Sequence, residues 1–255
     1  MINIKIVVIR IVLLWLLLLF PASVRAGAPS GHYENQFTAQ SELWDLSGSY
    51  SDGPNDNITV VQDDKGKLTG QVSLSGTDGS ISIVMAGPVV GSIKTTGGVP
   101  RVSITMKLTG TASDGSTTVG VTMNVQFALG IDAVTRELAG TFKTKVCVKA
   151  RGAGCQSTTG AQQFDLPDDM DGIWDLVMEI QNTNAKLTGS ASAGLSNGRT
   201  LPLSLNGQYS AKNDVTKLNL KGSAGTATIQ ANAVPAELLL QKMTAKLLGQ
   251  TVTLP

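Results

Sequence analysis

The chain has 255 residues, of which 42% are hydrophobic and only 4% aromatic, with 28 glycines and a formal net charge of +1. This length can bury a core of normal size in one large or two small domains, and the abundance of glycine favours strands and tight turns over helices. The net charge is too small to predict nucleic acid or an anionic membrane as the main partner.

Residues 1–26 have the features of a secretory signal peptide. Lys5 and Arg10 precede an apolar run over residues 11–20, and small residues end the segment at Ala26. We predict cleavage after Ala26 and a secreted or periplasmic location. The run is shorter than the roughly 20 residues that a spanning helix needs, so no stable membrane span is expected after processing. Removal of the segment leaves 17 basic and 19 acidic residues.

Residues 27–42 lack periodicity and are predicted to be a flexible N-terminal segment. The only histidine, His32, lies in it. A catalytic base needs a fixed partner within hydrogen-bond reach, so His32 is interpreted as a solvated side chain.

From Leu43 onward, apolar residues recur at alternate positions, which is the period of a strand with one buried face. Turns rich in Asp, Asn and Gly separate the runs. Parallel pairing would need crossovers of a dozen or more residues, for which the sequence leaves no room. We therefore predict an all-β fold with an antiparallel meander. The clearest runs are Ile81–Met85, Val102–Leu108, Val119–Leu129, Trp174–Ile180, Leu187–Leu195 and Leu201–Leu205.

The two halves of the chain repeat the same order of signals. Leu43–Gly70 and Gly172–Gly189 share a Trp-Asp-Leu opening and a Lys-Leu-Thr-Gly close. This repetition predicts an internal duplication, with related β units at residues 43–155 and 172–255 that are barrel-like, half-barrel or sandwich-like. Each unit is expected to have about six strands and to contact its twin, as one merged sheet or two separate ones.

Trp44 and Trp174 open these two repeats and are predicted to occupy equivalent buried core positions.

A Leu-x-Gly pattern recurs in both halves. Residues two apart on a strand share a face, and glycine there lets the sheet bend or lets a neighbour approach the backbone. We interpret the pattern as structural, in preference to a ligand-binding role for the glycines. The pairs are Leu46-Gly48, Leu68-Gly70, Leu74-Gly76, Leu108-Gly110, Leu138-Gly140, Leu187-Gly189, Leu205-Gly207, Leu220-Gly222 and Leu247-Gly249.

The only cysteines, Cys147 and Cys155, stand close together across a Gly-containing loop. In an oxidising compartment this spacing predicts a disulfide that closes a hairpin at the end of the first unit. A redox-active pair usually has the tighter Cys-x-x-Cys spacing. Residues 156–171 have no periodicity and are predicted to be a linker.

Four basic residues surround the first cysteine: Lys143, Lys145, Lys149 and Arg151. They could contact phosphates of a membrane surface or of lipopolysaccharide. The preferred interpretation is a solvent-facing hairpin, in which lysine discourages pairing of edge strands.

Two segments that connect predicted strands do not follow the alternating pattern. Pro235–Met243 has proline at a first helical position followed by helix formers, and Ile131–Leu138 is a shorter counterpart. Each is predicted to contain a helical turn.

No catalytic constellation is present in the sequence, and no catalytic residue, cofactor or metal site is predicted. Two acidic groups could hold Ca²⁺ through carboxylate oxygens, but neither follows the EF-hand spacing, and solvated loops are preferred. These groups are Asp165, Asp168, Asp169 and Asp171, and Asp52, Asn55, Asp56 and Asn57.

The opening of the second unit, about residues 172–210, resembles the lipocalin and avidin type of meander barrel. The resemblance rests on Gly172-Ile173-Trp174, Ala185 to Gly189 and Leu205 to Tyr209. It implies a barrel-like shape alone, because the later tryptophans of a biotin pocket are missing.

These features predict a non-enzymatic exported β protein, most simply an interaction or structural module of the cell envelope or exterior. The alternative is a carrier of an apolar small molecule or lipid in a barrel cavity, where small buried residues such as Ala191 and Ala193 leave room. The expected partner is accordingly an envelope component or a small apolar ligand.

Overall fold

The computed structural model describes residues 27–38, 42–53, 55–132, 134–150, 152–167, 170–234 and 237–254. The predicted signal peptide and its cleavage site lie outside them. Within these ranges every regular element is a strand. The strands are β1 (Gly31–Phe37), β2 (Gly48–Gly53), β3 (Asp56–Gln62), β4 (Lys67–Asp78), β5 (Ile81–Thr96), β6 (Val99–Ser113), β7 (Thr118–Asp132), β8 (Glu137–Lys149), β9 (Cys155–Asp165), β10 (Trp174–Thr183), β11 (Lys186–Leu195), β12 (Thr200–Ser210), β13 (Val215–Gly222), β14 (Gly225–Val234), β15 (Glu237–Leu247) and β16 (Gln250–Leu254).

The strands form two antiparallel sheets of eight. The first sheet runs in chain order from β2 to β9, and the second runs from β10 to β16 with β1 added beside β10. Consecutive strands pair through short turns, as the alternating pattern and turn residues require. The predicted all-β meander with two units is therefore confirmed, although each sheet has eight strands and not about six. No helix in the described ranges is long and apolar enough to cross a membrane.

The segment 27–42, expected to be flexible, contains strand β1. Its residues pair with β10 from Gly31 opposite Ile180 to Phe37 opposite Trp174. The Phe37 ring stacks on Trp174, with ring centroids 4.4 Å apart. The prediction of a flexible segment was wrong. The inward face of β1 carries a polar residue, Asn35, between Tyr33 and Phe37, and this residue interrupts the apolar alternation by which a strand is recognised.

The expected linker at 156–171 is also a strand for most of its length. Strand β9 pairs with β8 from Cys155 opposite Cys147 to Asp165 opposite Glu137. The prediction failed because an edge strand with exposed faces needs no apolar alternation.

The predicted helical turns are absent from the described part of both connections. Residues 134–136 form a turn between β7 and β8. Strand β15 begins at Glu237 and pairs with β14 through a register shift between Gln230 and Ala231. The good helix formers of this stretch are overridden by the apolar face that β15 buries.

The close approach of paired strands explains the Leu-x-Gly pattern. A Cβ atom built on Gly110 would lie 1.9 Å from the carbonyl oxygen of Val84, and one on Gly189 would lie 1.9 Å from that of Glu179. No side chain fits at such a distance, so these glycines allow the strand paired with them in register to approach closely where the sheet curls.

The residues that precede β2 connect the two sheets. Leu43 belongs to the core of the second sheet and Trp44 to that of the first. The Leu43 backbone N–H donates to the carbonyl of Gly172. Gln250 of β16 accepts from the Trp44 N–H at 3.1 Å and donates to the Trp44 carbonyl at 2.6 Å. The ends of the two sheets therefore meet at this segment, which we call the junction.

A buried ion pair strengthens the junction. Arg199, in the turn between β11 and β12, donates to Asp45 at 2.9 Å and to Asp64 at 2.7 Å. It also donates to the backbone carbonyl of Gln62 at 2.8 Å. Burial acts to raise the pKa of Asp45, but hydrogen bonds from Arg199 and Ser47 outweigh it and hold that pKa below its usual value.

Candidate binding cleft between the edge strands of the first sheet

The residues singled out in the sequence are spread over both sheets, and Trp44 lines an open cavity of about 370 Å³ beside Glu42 and Val252. Trp44 and Trp174 are each 1% exposed, Trp44 in the first core and Trp174 in the second. They differ in setting, because Trp174 begins a strand whereas Trp44 lies in the junction before β2. Cys147 and Cys155 form a disulfide at the tip of the β8–β9 hairpin. A disulfide is compatible with an oxidising compartment.

A cleft separates β2 from β9, the two edge strands of the first sheet. Its volume is about 670 Å³, within the range of ligand sites in proteins. Apolar side chains from both edges line it, including Tyr50, Ile58, Phe127 and Phe164. Its rim is polar and holds Ser49, Ser51, Asp56, Gln162, Gln163 and Asp165.

A smaller cavity of about 50 Å³ lies on the inner face of the same sheet. All of its lining residues are aliphatic or aromatic, and four of them, Tyr50, Ile58, Phe127 and Phe164, also line the cleft. The cleft therefore adjoins the apolar interior of the first sheet. The lining residues are Leu46, Tyr50, Ile58, Val60, Leu68, Ile104, Met106, Phe127, Leu129, Leu138 and Phe164.

Phe127 and Phe164 form an aromatic wall between cleft and interior, and Phe142 packs beside Phe127. The Phe127 ring packs edge to face against the Phe164 ring, with centroids 5.5 Å apart. It also contacts the Phe142 ring in a tilted arrangement, with centroids 6.3 Å apart. Phe142 lies opposite Gly160 on β9, and a Cβ there would come within 2.7 Å of the Phe142 ring. Gly160 thus makes room for the Phe142 ring at the sheet edge.

The backbone of β9 directs alternate residues into the open edge. The Leu166 N–H donates to the Arg136 carbonyl and the Val148 N–H to the Gly154 carbonyl, so hydrogen-bonded pairs with β8 fall at even positions of β9. The N–H and C=O groups of the odd positions consequently point away from β8. These positions are Ser157, Thr159, Ala161 and Gln163.

No charged side chain protects this edge. Strand β9 is 11 residues long and carries no charge or proline between Cys155 and Phe164. Natural sheets usually block an exposed edge with lysine, proline, a bulge or a very short strand. The opposite edge, β2, has six residues and a register irregularity between Tyr50 and Gly53. Of the two edges of the first sheet, β9 is therefore the one better suited to accept another strand.

The remaining ionisable groups offer no alternative site. His32 lies on β1, where its ring contacts Glu179, and this hydrogen bond raises the pKa of His32. Burial raises the pKa of Glu42 to about 7, and the nearby Asp171 carboxylate adds to the rise. Across the described ranges no three His, Cys, Asp or Glu side chains are grouped to hold a metal. In the two suggested Ca²⁺ groups, Asp168 and Asp169 lie outside those ranges.

The sequence prediction missed this cleft because no motif marks it. Its one signal is the uncharged stretch Gln156–Phe164 directly after the cysteine pair. No protein-family model, curated protein or solved structure matches the chain, so the site is interpreted from its own geometry.

Proposed function

We propose that the protein is an exported, non-enzymatic binding protein that receives an extended segment of another polypeptide at the edge of β9. The bound segment adds a strand to the first sheet and lies in the cleft facing β2. The observation that carries this proposal is the unblocked edge of β9 beside an apolar cleft.

Strand addition supplies affinity through the main chain. The backbone groups of Ser157, Thr159, Ala161 and Gln163 face the open edge and offer alternating donors and acceptors, and Gln163 also lines the cleft. A peptide paired with them needs no particular sequence for these bonds, and the side-chain pockets provide the selectivity.

The lining of the cleft defines which side chains the segment carries. Alternate residues of a bound strand point inward, toward Tyr50, Ile58, Phe127 and Phe164. The other residues face solvent beside the Ser, Thr, Ala and Gln side chains of β9. The expected partner is therefore an extended segment that alternates apolar and uncharged polar residues.

The carrier alternative has one observation in its favour, the apolar cavity. At about 50 Å³ this cavity holds only a few water-sized groups and is small for a lipid chain. The wider cleft lies open between two strands, which suits a polypeptide better than an enclosed ligand.

Amide hydrogen exchange of the free protein and of its complex with a soluble peptide, acetyl-Thr-Val-Thr-Val-Thr-Val-amide, tests the proposal. In the free protein we expect the amides of Thr159, Ala161 and Gln163 to exchange quickly and the even-numbered β9 amides slowly. Saturating peptide should slow the three odd-numbered amides by roughly tenfold or more.

A matched pair of variants isolates the backbone contact. Ala161→Pro removes a donor that faces the open edge of β9 and leaves the ladder to β8 intact, whereas Ala161→Val keeps the donor. Ala161→Pro should weaken peptide binding about tenfold and Ala161→Val about twofold or less. Equal binding by both variants would refute strand addition. A higher melting temperature with oleate and none with the peptide would favour the carrier alternative.

A further inference from the structure

The outer face of the first sheet carries a group of basic side chains that the cleft does not use. Six exposed residues point outward from β5, β6 and β8, and we call them the basic face. Strand spacing places Lys107 and Lys145, which flank Asn124 in register, about 10 Å apart. The basic face comprises Lys94, Arg101, Lys107, Lys143, Lys145 and Lys149.

These side chains are not neutralised by the protein itself. None of the six lies within 4.0 Å of a carboxylate in the described part of the chain. Asp132, Glu137 and Asp165 form one outward cross-strand row at the junction end, close to Arg101 of the basic face. Asp114 lies at the opposite end of the sheet, in the β6–β7 turn.

Edge protection does not account for these lysines. Strand β8, which carries Lys143, Lys145 and Lys149, pairs with β7 on one side and β9 on the other. It is therefore an interior strand with no free edge to block. The edge strand β9 has no lysine at all. Lys143, Lys145 and Lys149 face solvent on the β8–β9 hairpin, as the sequence predicts, but they do not protect a sheet edge.

The composition of the basic face points to a diffuse negative surface. Five of its six residues are lysines, which act as flexible point charges, whereas bidentate recognition of a single phosphate uses arginine. The intervening outward residues are mostly small or uncharged polar, such as Thr105, Thr122 and Thr141. Thr105, Thr141 and Lys143 line a wide, open depression of about 630 Å³. An array of this kind suits many weak contacts spread over an area.

We propose that the basic face docks the exported protein on the surface of a lipid bilayer that contains anionic lipids. The outer face of β5 to β8 then lies against the bilayer. In this orientation β9 and its cleft stay at the side of the sheet and accessible.

Co-sedimentation of the exported protein with vesicles tests this docking. The probe vesicles contain phosphatidylcholine with about 30% phosphatidylglycerol, and vesicles of phosphatidylcholine alone serve as the reference. We expect binding to the anionic vesicles in low salt, a loss of at least about tenfold when NaCl rises from roughly 50 to 300 mM, and little binding to the reference vesicles.

Charge reversal at matched positions identifies the face. The triple variant K107E, K143E and K145E should bind at least tenfold more weakly. The control K217E, K221E and K242E makes the same change of net charge on the second sheet, whose outer face also bears Glu34, Asp175 and Glu179. This control should lose about threefold or less.

Three results would overturn the proposal. They are an equal loss in both triple variants, which indicates net charge alone, equal binding to both kinds of vesicle, and binding that salt does not weaken. If the first triple variant does not fold, Lys107→Gln with Lys143→Gln and Lys145→Gln gives the same test with a smaller perturbation. Those glutamine variants should still bind several-fold more weakly than the parent.

Discussion

The two sheets have the same number of strands and the same alternating pattern. The second sheet nevertheless encloses a buried core, whereas the first leaves an open cleft. In the second sheet β10 to β15 have 8 to 11 residues each, and their inner side chains are nearly all buried. In the first sheet β5 to β7 have 15 or 16 residues, whereas β2 and β3 have six and seven.

This difference in strand length has a direct consequence for packing. The ends of β5 to β7 that are farther from the junction extend beyond β2 and β3. Ile83, Met123 and Val146 therefore remain only partly buried on the inner face. The number of strands therefore does not decide whether a curled sheet encloses its core. Matching strand lengths decide it, and the mismatch in the first sheet creates the cleft beside β9.

The largest effect is expected from Trp44→Ala, which tests how strongly the two sheets depend on each other. The ring is 1% exposed in the first core, and both Gln62 and Gln250 bond to its backbone. Loss of the ring should lower the free energy of unfolding by about 3–5 kcal/mol in urea titrations followed by circular dichroism. One shifted transition indicates joint unfolding, and two transitions of which one shifts indicate independent sheets.

The control for this variant is Val61→Ala, at an outward side chain that is 62% exposed. It should change stability by about 0.5 kcal/mol or less. An equally small effect of Trp44→Ala would show that the junction does not pack as described.

Phe37→Ala tests whether β1 completes the second sheet. The ring is 4% exposed and stacks on Trp174, so its removal should cost about 3 kcal/mol in the same titration. Gln36→Ala on the exposed face of the same strand should be nearly neutral. If both variants unfold at the same urea concentration as the parent, residues 27–42 are flexible after all.

Arg199→Met tests the polar contact between the sheets. It leaves the Asp45 carboxylate, whose side chain is 2% exposed, without its cation, and should cost about 2–3 kcal/mol at pH 7. Because the folded pKa of Asp45 is lowered, this stability is present above the unfolded value of about 3.9 and is lost as the pH falls through the folded value. The difference between parent and variant should therefore shrink in acid.

Asp64→Asn is the control at the more exposed partner, whose side chain is 40% exposed, and should cost about 1 kcal/mol or less. A cost for Asp64→Asn as large as that for Arg199→Met would locate the main ion pair at Asp64 instead.

The smallest effect is a pH dependence from Glu42, at the boundary of the two sheets. Burial raises its pKa to about 7, so its contribution to stability is full below about pH 4.3 and is lost as the pH rises to about 7. Glu42→Gln should remove this decline and make the protein more stable at pH 8 by less than about 1 kcal/mol, since solvent screens the partly exposed carboxylate. Identical slopes of stability against pH in parent and variant would contradict it.

The alternating pattern was sufficient to predict most strands of both sheets, because residues such as Leu176, Met178 and Ile180 bury one face. It could not predict β1 or β9, which pair on one side only and whose inward positions include Asn35, Thr158 and Gln162. Backbone pairing, helped by only a few buried side chains such as Phe37, holds such strands in place. The cleft was missed for a related reason, because it depends on unequal strand lengths and on which two edges approach each other in space.

The position of β1 has a consequence for the order in which the molecule is built. His32 on β1 meets Glu179 on β10, 147 residues further along the chain, and the whole first sheet lies between them. Because synthesis proceeds from the N-terminus, β1 is made long before β10. The first sheet consists of consecutive strands, β2 to β9, and can fold before β10 is made. Its folding shortens the distance that must be closed when β1 pairs with β10. The second sheet, although it holds the first strand to emerge, is the last to be completed.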